Sequence, residues 1–236
     1  MGSLDSPQKE LTVLVTGFGP FKKGCPVNPS GEIAASLPDY LPAAQDKDSL
    51  NLPPVRIVKL PEPVHVSYND IRNLVPTLWD DPERKVDYMI HLGMAGPQLV
   101  YSLERRAHRD GYDKADVDGK FLGDEERHRK EREDWIWHGL PEELLTDLDI
   151  EDVYRICVEQ GPDLYLQISD DPGHYACDFI YFSSLAHLSK QKRHKISWFG
   201  CGAHIPSVFD KLAADEWCTC EPKVEVNGTK YPPKAK

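Results

Sequence analysis

Short apolar runs alternate with amphipathic segments along most of the chain. Residues 11–16 (Leu-Thr-Val-Leu-Val-Thr) are apolar and β-branched, which predicts a buried strand, and the runs at 55–60, 86–92 and 196–202 predict three more. Apolar residues at helical spacing predict helices over 64–79 and 150–160. Strands that alternate with helices indicate an α/β protein with a mostly parallel central sheet and helices on both faces, a three-layer α/β/α arrangement.

The segment 164–187 predicts a strand, a tight turn and a helix. Alternating apolar residues at 164–168 favour the strand, residues 170–173 (Asp-Asp-Pro-Gly) favour the turn, and aromatic residues then recur at helical spacing. Cys177 would lie in the first helical turn, where unpaired N–H groups and the helix dipole favour negative charge. A thiol at such a position has a lowered pKa, and its thiolate is a nucleophile. The alternative is a buried cysteine that only fills space.

Length, charge and cysteine usage restrict the class of protein. The 236 residues suit one domain (1–236), with a charged insertion at about 120–148 and an irregular tail at about 218–236. A formal net charge of −11 argues against a nucleic-acid partner, which needs a basic surface. We find no signal peptide and no apolar run of about 18 residues, and we therefore expect a cytoplasmic protein that does not bind membranes.

The six cysteines show no regular spacing. We expect thiols rather than disulfides, because disulfide frameworks belong to oxidising compartments. A single Cys-x-Cys pair near the C-terminus lacks the second pair that a structural zinc site needs, so no metal site is expected. The oligomeric state stays open.

Four short motifs follow predicted strands in chain order. They are Gly17-Phe-Gly-Pro-Phe21 with Asn28-Pro-Ser30, Gly93-Met-Ala-Gly96 with Ser102-Leu-Glu104-Arg105, Ser169-Asp-Asp-Pro-Gly-His-Tyr-Ala-Cys177-Asp178, and Ala203-His204-Ile-Pro206. Their residue types and order resemble the signatures of pyroglutamyl peptidase I, also called pyrrolidone-carboxylate peptidase, in its animal and fungal form. The resemblance extends over roughly residues 11–206.

This resemblance implies a phosphorylase/hydrolase-like fold and a cysteine exopeptidase that needs no metal or organic cofactor. Its substrates would be peptides with an N-terminal pyroglutamyl residue, and the amide bond after that residue would be hydrolysed. The family pattern assigns the nucleophile to Cys177, the general base to His204 and the group that orients the imidazole to Glu104. These are the roles that a catalytic triad requires.

The family pattern also implies the residues that bind the substrate. Phe18 and Phe21 would enclose the lactam ring, and Asn28 and Gly93 would belong to the same site. Each assignment has a plain structural alternative, since two phenylalanines are ordinary core residues and Glu104 beside arginines is an ordinary surface ion pair. Two other functions remain open: a catalytically impaired homologue that binds pyroglutamyl peptides, and a cysteine hydrolase of another small amide.

Overall fold

The computed structural model describes seven segments of the chain: 10–21, 26–41, 53–94, 100–122, 135–192, 224–226 and 229–231. Their elements, in chain order, are β1 Leu11–Gly17, α1 Pro29–Ser36, β2 Val55–Lys59, α2 Tyr68–Trp79, β3 Tyr88–Leu92, β4 Tyr101–Glu104, β5 Arg106–His108, β6 Glu143–Leu145, α3 Ile150–Gln160, β7 Leu166–Ser169, α4 Ala176–Lys192, β8 Val224–Val226 and β9 Thr229–Tyr231. The chain divides into two compact units, Met1–Leu185 and Ala186–Lys236. The fold is α/β, as predicted.

A parallel three-stranded sheet lies at the centre of the first unit. Strand β1 is flanked by β2 and β3 in the order β2-β1-β3, and Val13 pairs with Ile57 on one side and Tyr88 on the other. On one face of this sheet Val15 and Ile57 are buried in a cluster with Ala34 of α1. These contacts confirm the strands predicted at 11–16, 55–60 and 86–92, and their parallel direction.

The other face of β1 joins helix α4 through polar contacts. The hydroxyl of Thr16, itself buried, lies 2.8 Å from Nδ1 of His91, and Nε2 of His91 lies 2.8 Å from the hydroxyl of Ser184. Burial lowers the pKa of His91 to about 4, because the charged imidazolium would lose its hydration there. His91 is therefore a neutral link between the sheet and the helix that carries the cysteine.

Two further strand pairs extend the first unit. Strands β4 and β7 are parallel and β5 and β6 are antiparallel.

The end of the predicted charged insertion contributes to the core, since Trp137 is buried with its ring centroid 4.8 Å from Phe182 and 5.2 Å from Phe179. Burial of three aromatic side chains in contact is a large apolar contribution to stability.

Two predictions about element boundaries are wrong in part. Helix α2 begins at Tyr68 rather than at residue 64, because Val64 instead exchanges backbone hydrogen bonds with Gly17 and Gly19 at the end of β1. The tail predicted as irregular contains an antiparallel pair, β8 and β9. The strand predicted at 196–202 lies outside the described residues. Among the helices that the structure describes, none combines the length and the apolar composition of a membrane span.

Candidate active site

Cys177 is the second residue of helix α4, and the predicted strand, turn and helix are confirmed. The turn is tight because Gly173 has φ 94 and His174 has φ 45, both in the left-handed region. The side chain of Asp171 accepts a 2.8 Å hydrogen bond from the N–H of Gly173 and holds this turn. The first helical hydrogen bond runs from Phe179 to the carbonyl of Tyr175, which leaves the N–H of Cys177 without a helical acceptor.

Gly93 lies directly against Cys177, the predicted nucleophile. It follows the last residue of β3, and a Cβ atom placed on it would lie 2.7 Å from Sγ of Cys177. Glycine is the residue that allows this approach, because ordinary van der Waals contact begins at 3.4–4 Å. The predicted site residues Gly93 and Cys177 are therefore neighbours in space, 84 residues apart in the sequence.

The expectation of a lowered thiol pKa is wrong. Burial raises the pKa of Cys177 to about 11, and the nearby carboxylates of Glu104 and Asp178 add to the rise. Backbone N–H groups of Met94 and of Cys177 itself donate to the sulfur and oppose the rise. The loss of hydration that burial imposes on a thiolate outweighs the effect of the helix terminus here, so the protonated thiol is the favoured form.

Glu104 ends strand β4 beside Ser169, the last residue of β7, with which it pairs in register. Burial raises the pKa of Glu104, and a hydrogen bond with Ser169 opposes the rise. Its Oε2 atom is buried and has no hydrogen-bond partner among the described residues. The hydroxyl of Tyr181 in α4 donates a 3.0 Å hydrogen bond to the Glu104 carbonyl, which ties this strand end to the cysteine helix.

The two arginines after Glu104 are paired with other acids. Arg105 contacts both carboxylate oxygens of Asp170 at 2.8 and 2.9 Å, and Arg106 contacts Asp170 at 3.0 Å and Glu143 at 2.6 Å. The alternative of a surface ion pair at Glu104 is therefore wrong in the described residues. A buried carboxylate oxygen that lacks a partner among the described residues can accept a hydrogen bond from one further donor.

The sequence analysis missed a hydrogen-bonded histidine–aspartate pair next to Cys177. The side chain of Asp178 is fully buried and accepts a 2.8 Å hydrogen bond from the N–H of His108, and Nδ1 of His108 lies 2.9 Å from its other oxygen. Burial raises the pKa of Asp178, and the contacts with His108 oppose the rise. The motif contained Asp178, but nothing in the sequence marks a partner 70 residues away.

The predicted substrate residues occupy two different environments. Phe18 is only 2% exposed and its N–H donates to the hydroxyl of Ser30 at 3.1 Å, whereas Phe21 is partly exposed and its ring centroid lies 6.4 Å from that of Tyr175. Asn28 is buried, caps α1 and donates a 3.0 Å hydrogen bond to the carbonyl of Gly19 between the two phenylalanines. Asn28 therefore shapes the loop that carries both rings.

His204, the predicted general base, lies outside the described residues. Of the histidines near the nucleophile, His174 has its Nδ1 3.0 Å from the carbonyl of Asp110, and its ring centroid is 4.4 Å from that of His108. Both imidazoles thus face Asp178 and the turn before the helix. Their positions do not change the prediction for His204.

Comparison with known proteins adds an independent observation. A family model described as pyroglutamyl peptidase matches residues 11–228. The pyroglutamyl-peptidase 1 of Homo sapiens is 30% identical over 213 residues, which cover 90% of this chain and 86% of the human protein. The pyrrolidone-carboxylate peptidase of Pyrococcus furiosus is 28% identical over 203 residues, or 86% of either chain. Pyroglutamyl peptidase I of Bacillus amyloliquefaciens has the same fold, with a TM-score of 0.57 over 76% of this chain and 75% of that chain at 24% identity.

The matches and the cysteine at the start of a helix define a cysteine peptidase. The chain belongs to the pyroglutamyl peptidase family. The resemblance seen in the motifs is confirmed.

Proposed function

We propose that this protein removes the N-terminal pyroglutamyl residue from peptides, with Cys177, His204 and Glu104 as its catalytic residues. Family membership supports the reaction. The observation that carries the residue assignment is the packing of Gly93 and the N–H of Met94 against Sγ of Cys177, together with the carboxylate of Glu104, whose charge raises the pKa of that thiol from a second part of the chain. A thiol in this setting is protonated at neutral pH, so the site requires a base.

The first half of the reaction forms an acyl-enzyme. His204 takes the thiol proton of Cys177, the sulfur attacks the pyroglutamyl carbonyl carbon, and the carbonyl oxygen becomes an oxyanion. We assign the oxyanion to the N–H groups of Met94 and Cys177, because both hydrogen-bond to the sulfur that would carry the adjacent carbonyl carbon. Collapse of the intermediate breaks the C–N bond, and His204 gives its proton to the departing amine.

The second half restores the enzyme. His204 removes a proton from water, the hydroxide attacks the thioester carbon, and the C–S bond breaks to release pyroglutamate and the Cys177 thiol. Glu104 stabilises the imidazolium formed in both halves. Its Oε2 atom, buried and without a partner in the part of the chain that the structure describes, supports this role, since an imidazole N–H is a donor that such an oxygen needs.

Recognition of the lactam falls to the loop after β1. The partly exposed Phe21 ring beside Tyr175 offers an apolar wall close to the nucleophile. Phe18 is buried three residues earlier in the same loop, and Asn28 holds the backbone between the two phenylalanines. A flat, uncharged lactam fits an aromatic wall, whereas ring-opened glutamate would place charged groups against it without partners.

The decisive experiment is turnover of fluorogenic amides by the pure protein. We expect hydrolysis of the pyroglutamyl amide and no hydrolysis of the alanyl, prolyl or glutaminyl amides. The Cys177→Ala protein, checked for an unchanged circular dichroism spectrum, is the matched control and should be inactive. Binding without turnover would indicate the impaired homologue instead, and turnover of another amide alone would indicate a different hydrolase.

The layer arrangement of the fold and the class of binding partner belong to the same proposal. We infer that helices cover both faces of the sheet, which the contacts of Ala34 in α1 with one face and of Ser184 in α4 with the other support. The net charge of −11 supports the expectation that peptides, not nucleic acids, are the partners. A cytoplasmic location stays a prediction.

A further inference from the structure

Four potential metal ligands gather beside the nucleophile, and the proposed reaction uses none of them. They form the His–Asp cluster, defined by His108, Asp171, His174 and Asp178, whose ligand atoms all lie within 4.8 Å of one another. The residues come from the end of β5, from the turn and from the start of α4. Asp178 is fully buried, so its carboxylate depends on the groups that face it.

The geometry of Asp178 leaves one oxygen for two imidazoles. Its Oδ1 accepts the backbone N–H of His108, which turns Oδ2 towards Nδ1 of His108 at 2.9 Å and Nδ1 of His174 at 3.7 Å. A tetrahedral ion with bonds of about 2.0 Å holds its ligands about 3.3 Å apart. The two observed distances lie on either side of that value, and the remaining ligand atoms lie within 4.8 Å of one another, so the cluster has the spacing from which such an ion can draw its ligands together.

The backbone around His174 is shaped to bring its ring into the cluster. His174 itself has φ 45, and a Cβ on Gly111 would lie 2.7 Å from Nδ1 of His174. The Nε2 atom of His174 lies 3.9 Å from Oδ1 of Asp171. Imidazoles that bind a metal through one nitrogen usually donate the other N–H to a carboxylate or carbonyl, and Asp171 is in place for that role.

We propose that His108, His174 and Asp178 bind one divalent transition-metal ion of the Zn²⁺ class, with Asp171 as the outer partner of His174. Two imidazoles and one carboxylate are a donor set that zinc prefers, with a fourth position left for water. On binding, Nδ1 of His174 exchanges its contact with the Asp110 carbonyl for the ion. The ion is not needed for peptide hydrolysis; it would fix the turn that precedes Cys177 and stabilise the fold.

A second group in the described residues serves as the comparison. His65, Asp70 and Asp118 also bring ligand atoms together, but all three are exposed and only one of them is an imidazole. Carboxylates open to water bind such ions weakly, because hydration competes with them. His65→Gln is therefore a matched control for loss of one histidine from a candidate cluster.

The test measures metal binding by the full chain in the Cys177→Ser background, which removes the nucleophilic thiol as a ligand. We expect one Co²⁺ or Zn²⁺ per chain by calorimetry, a higher melting temperature with Zn²⁺, and a Co²⁺ spectrum without thiolate charge-transfer bands. Asp171→Asn should weaken binding by about 10–100-fold, and His174→Gln or His108→Gln by more than that. His65→Gln should bind as the parent does.

Several results would overturn the proposal. The proposal is wrong if the protein does not bind Zn²⁺ at millimolar concentration. It is also wrong if the His174→Gln variant still binds the ion as the parent does, or if the His65→Gln variant does not bind it. Thiolate bands in the Co²⁺ spectrum would assign the ion to the remaining cysteines instead. Circular dichroism of each variant without metal separates loss of ligand from loss of fold, and Asp171→Asn keeps the test decisive should His108→Gln fail to fold.

Discussion

Replacement of Gly93 by alanine tests the packing around Cys177, the proposed nucleophile, most directly. The added Cβ would lie 2.7 Å from Sγ of Cys177 and 3.6 Å from its Cβ, so the clash falls on the sulfur. Ordinary contact begins at 3.4–4 Å, and the sulfur must therefore move by about 1 Å. Cysteine can move its sulfur only by rotation about χ1, and in a helix one of the three rotamers is disfavoured.

A displacement of about 1 Å at a reacting atom costs on the order of 100-fold in rate, or about 2.7 kcal/mol in activation free energy. We expect Gly93→Ala to lower kcat/KM for a pyroglutamyl amide by that factor, mainly through kcat, because the attacking atom is misplaced while the lactam wall is unchanged. Steady-state kinetics and a melting curve on the same sample measure both consequences.

Gly161→Ala is the matched control. Its added Cβ would also lie 2.7 Å from a neighbour, but that neighbour is the end of the flexible Leu164 side chain, away from the site. We expect wild-type kcat and KM for Gly161→Ala. A Gly93→Ala enzyme with unaltered kcat/KM would refute the close packing of Gly93 on Cys177, and a low activity explained by partial unfolding would show as a lost melting transition.

The remaining predictions concern Glu104, Tyr181 and His91. Glu104→Gln should lower kcat by about 100-fold or more, because the group that stabilises the imidazolium is lost. It should also lower the pKa for alkylation of Cys177, because a carboxylate that raises that pKa is removed. An alkylation profile whose pH dependence does not change relative to the wild type would contradict the effect of Glu104 on Cys177. Glu104 also has a raised pKa in the folded state, so wild-type stability falls as pH rises through that pKa, and Glu104→Gln should unfold at a higher temperature at pH 7. Tyr181→Phe should cost about 1 kcal/mol in urea unfolding, since it removes the donor to the Glu104 carbonyl. His91 is neutral in the folded protein, so its contribution to stability is fully present above pH 6.5 and is lost as the pH falls towards about 4, by at most roughly 3 kcal/mol. His91→Phe should reduce this loss of unfolding free energy with falling pH. An unchanged pH dependence would show that other groups cause it.

Much of the fold could be predicted because its signals are local. The runs at 11–16, 55–60 and 86–92 are apolar over the length of one strand, and alternation with helices restricts such strands to a parallel sheet. The helix start at Cys177 was predictable for the same reason, since turn residues and a helical pattern meet there. The start of α2 was not, because Val64 forms backbone bonds to β1 that no local pattern shows.

The site itself was only half determined by the sequence. The motifs predicted Cys177 and Glu104 as site residues, but the protonation of the thiol depends on burial, and burial outweighs the effect of the helix terminus on its pKa. The contact of His108 with Asp178 joins residues 70 positions apart, and a sequence holds no signal for one specific long-range contact. Local patterns determine which elements form and which residues can react; tertiary packing decides which of those residues meet, because desolvation and contact distance exist only once the chain is folded.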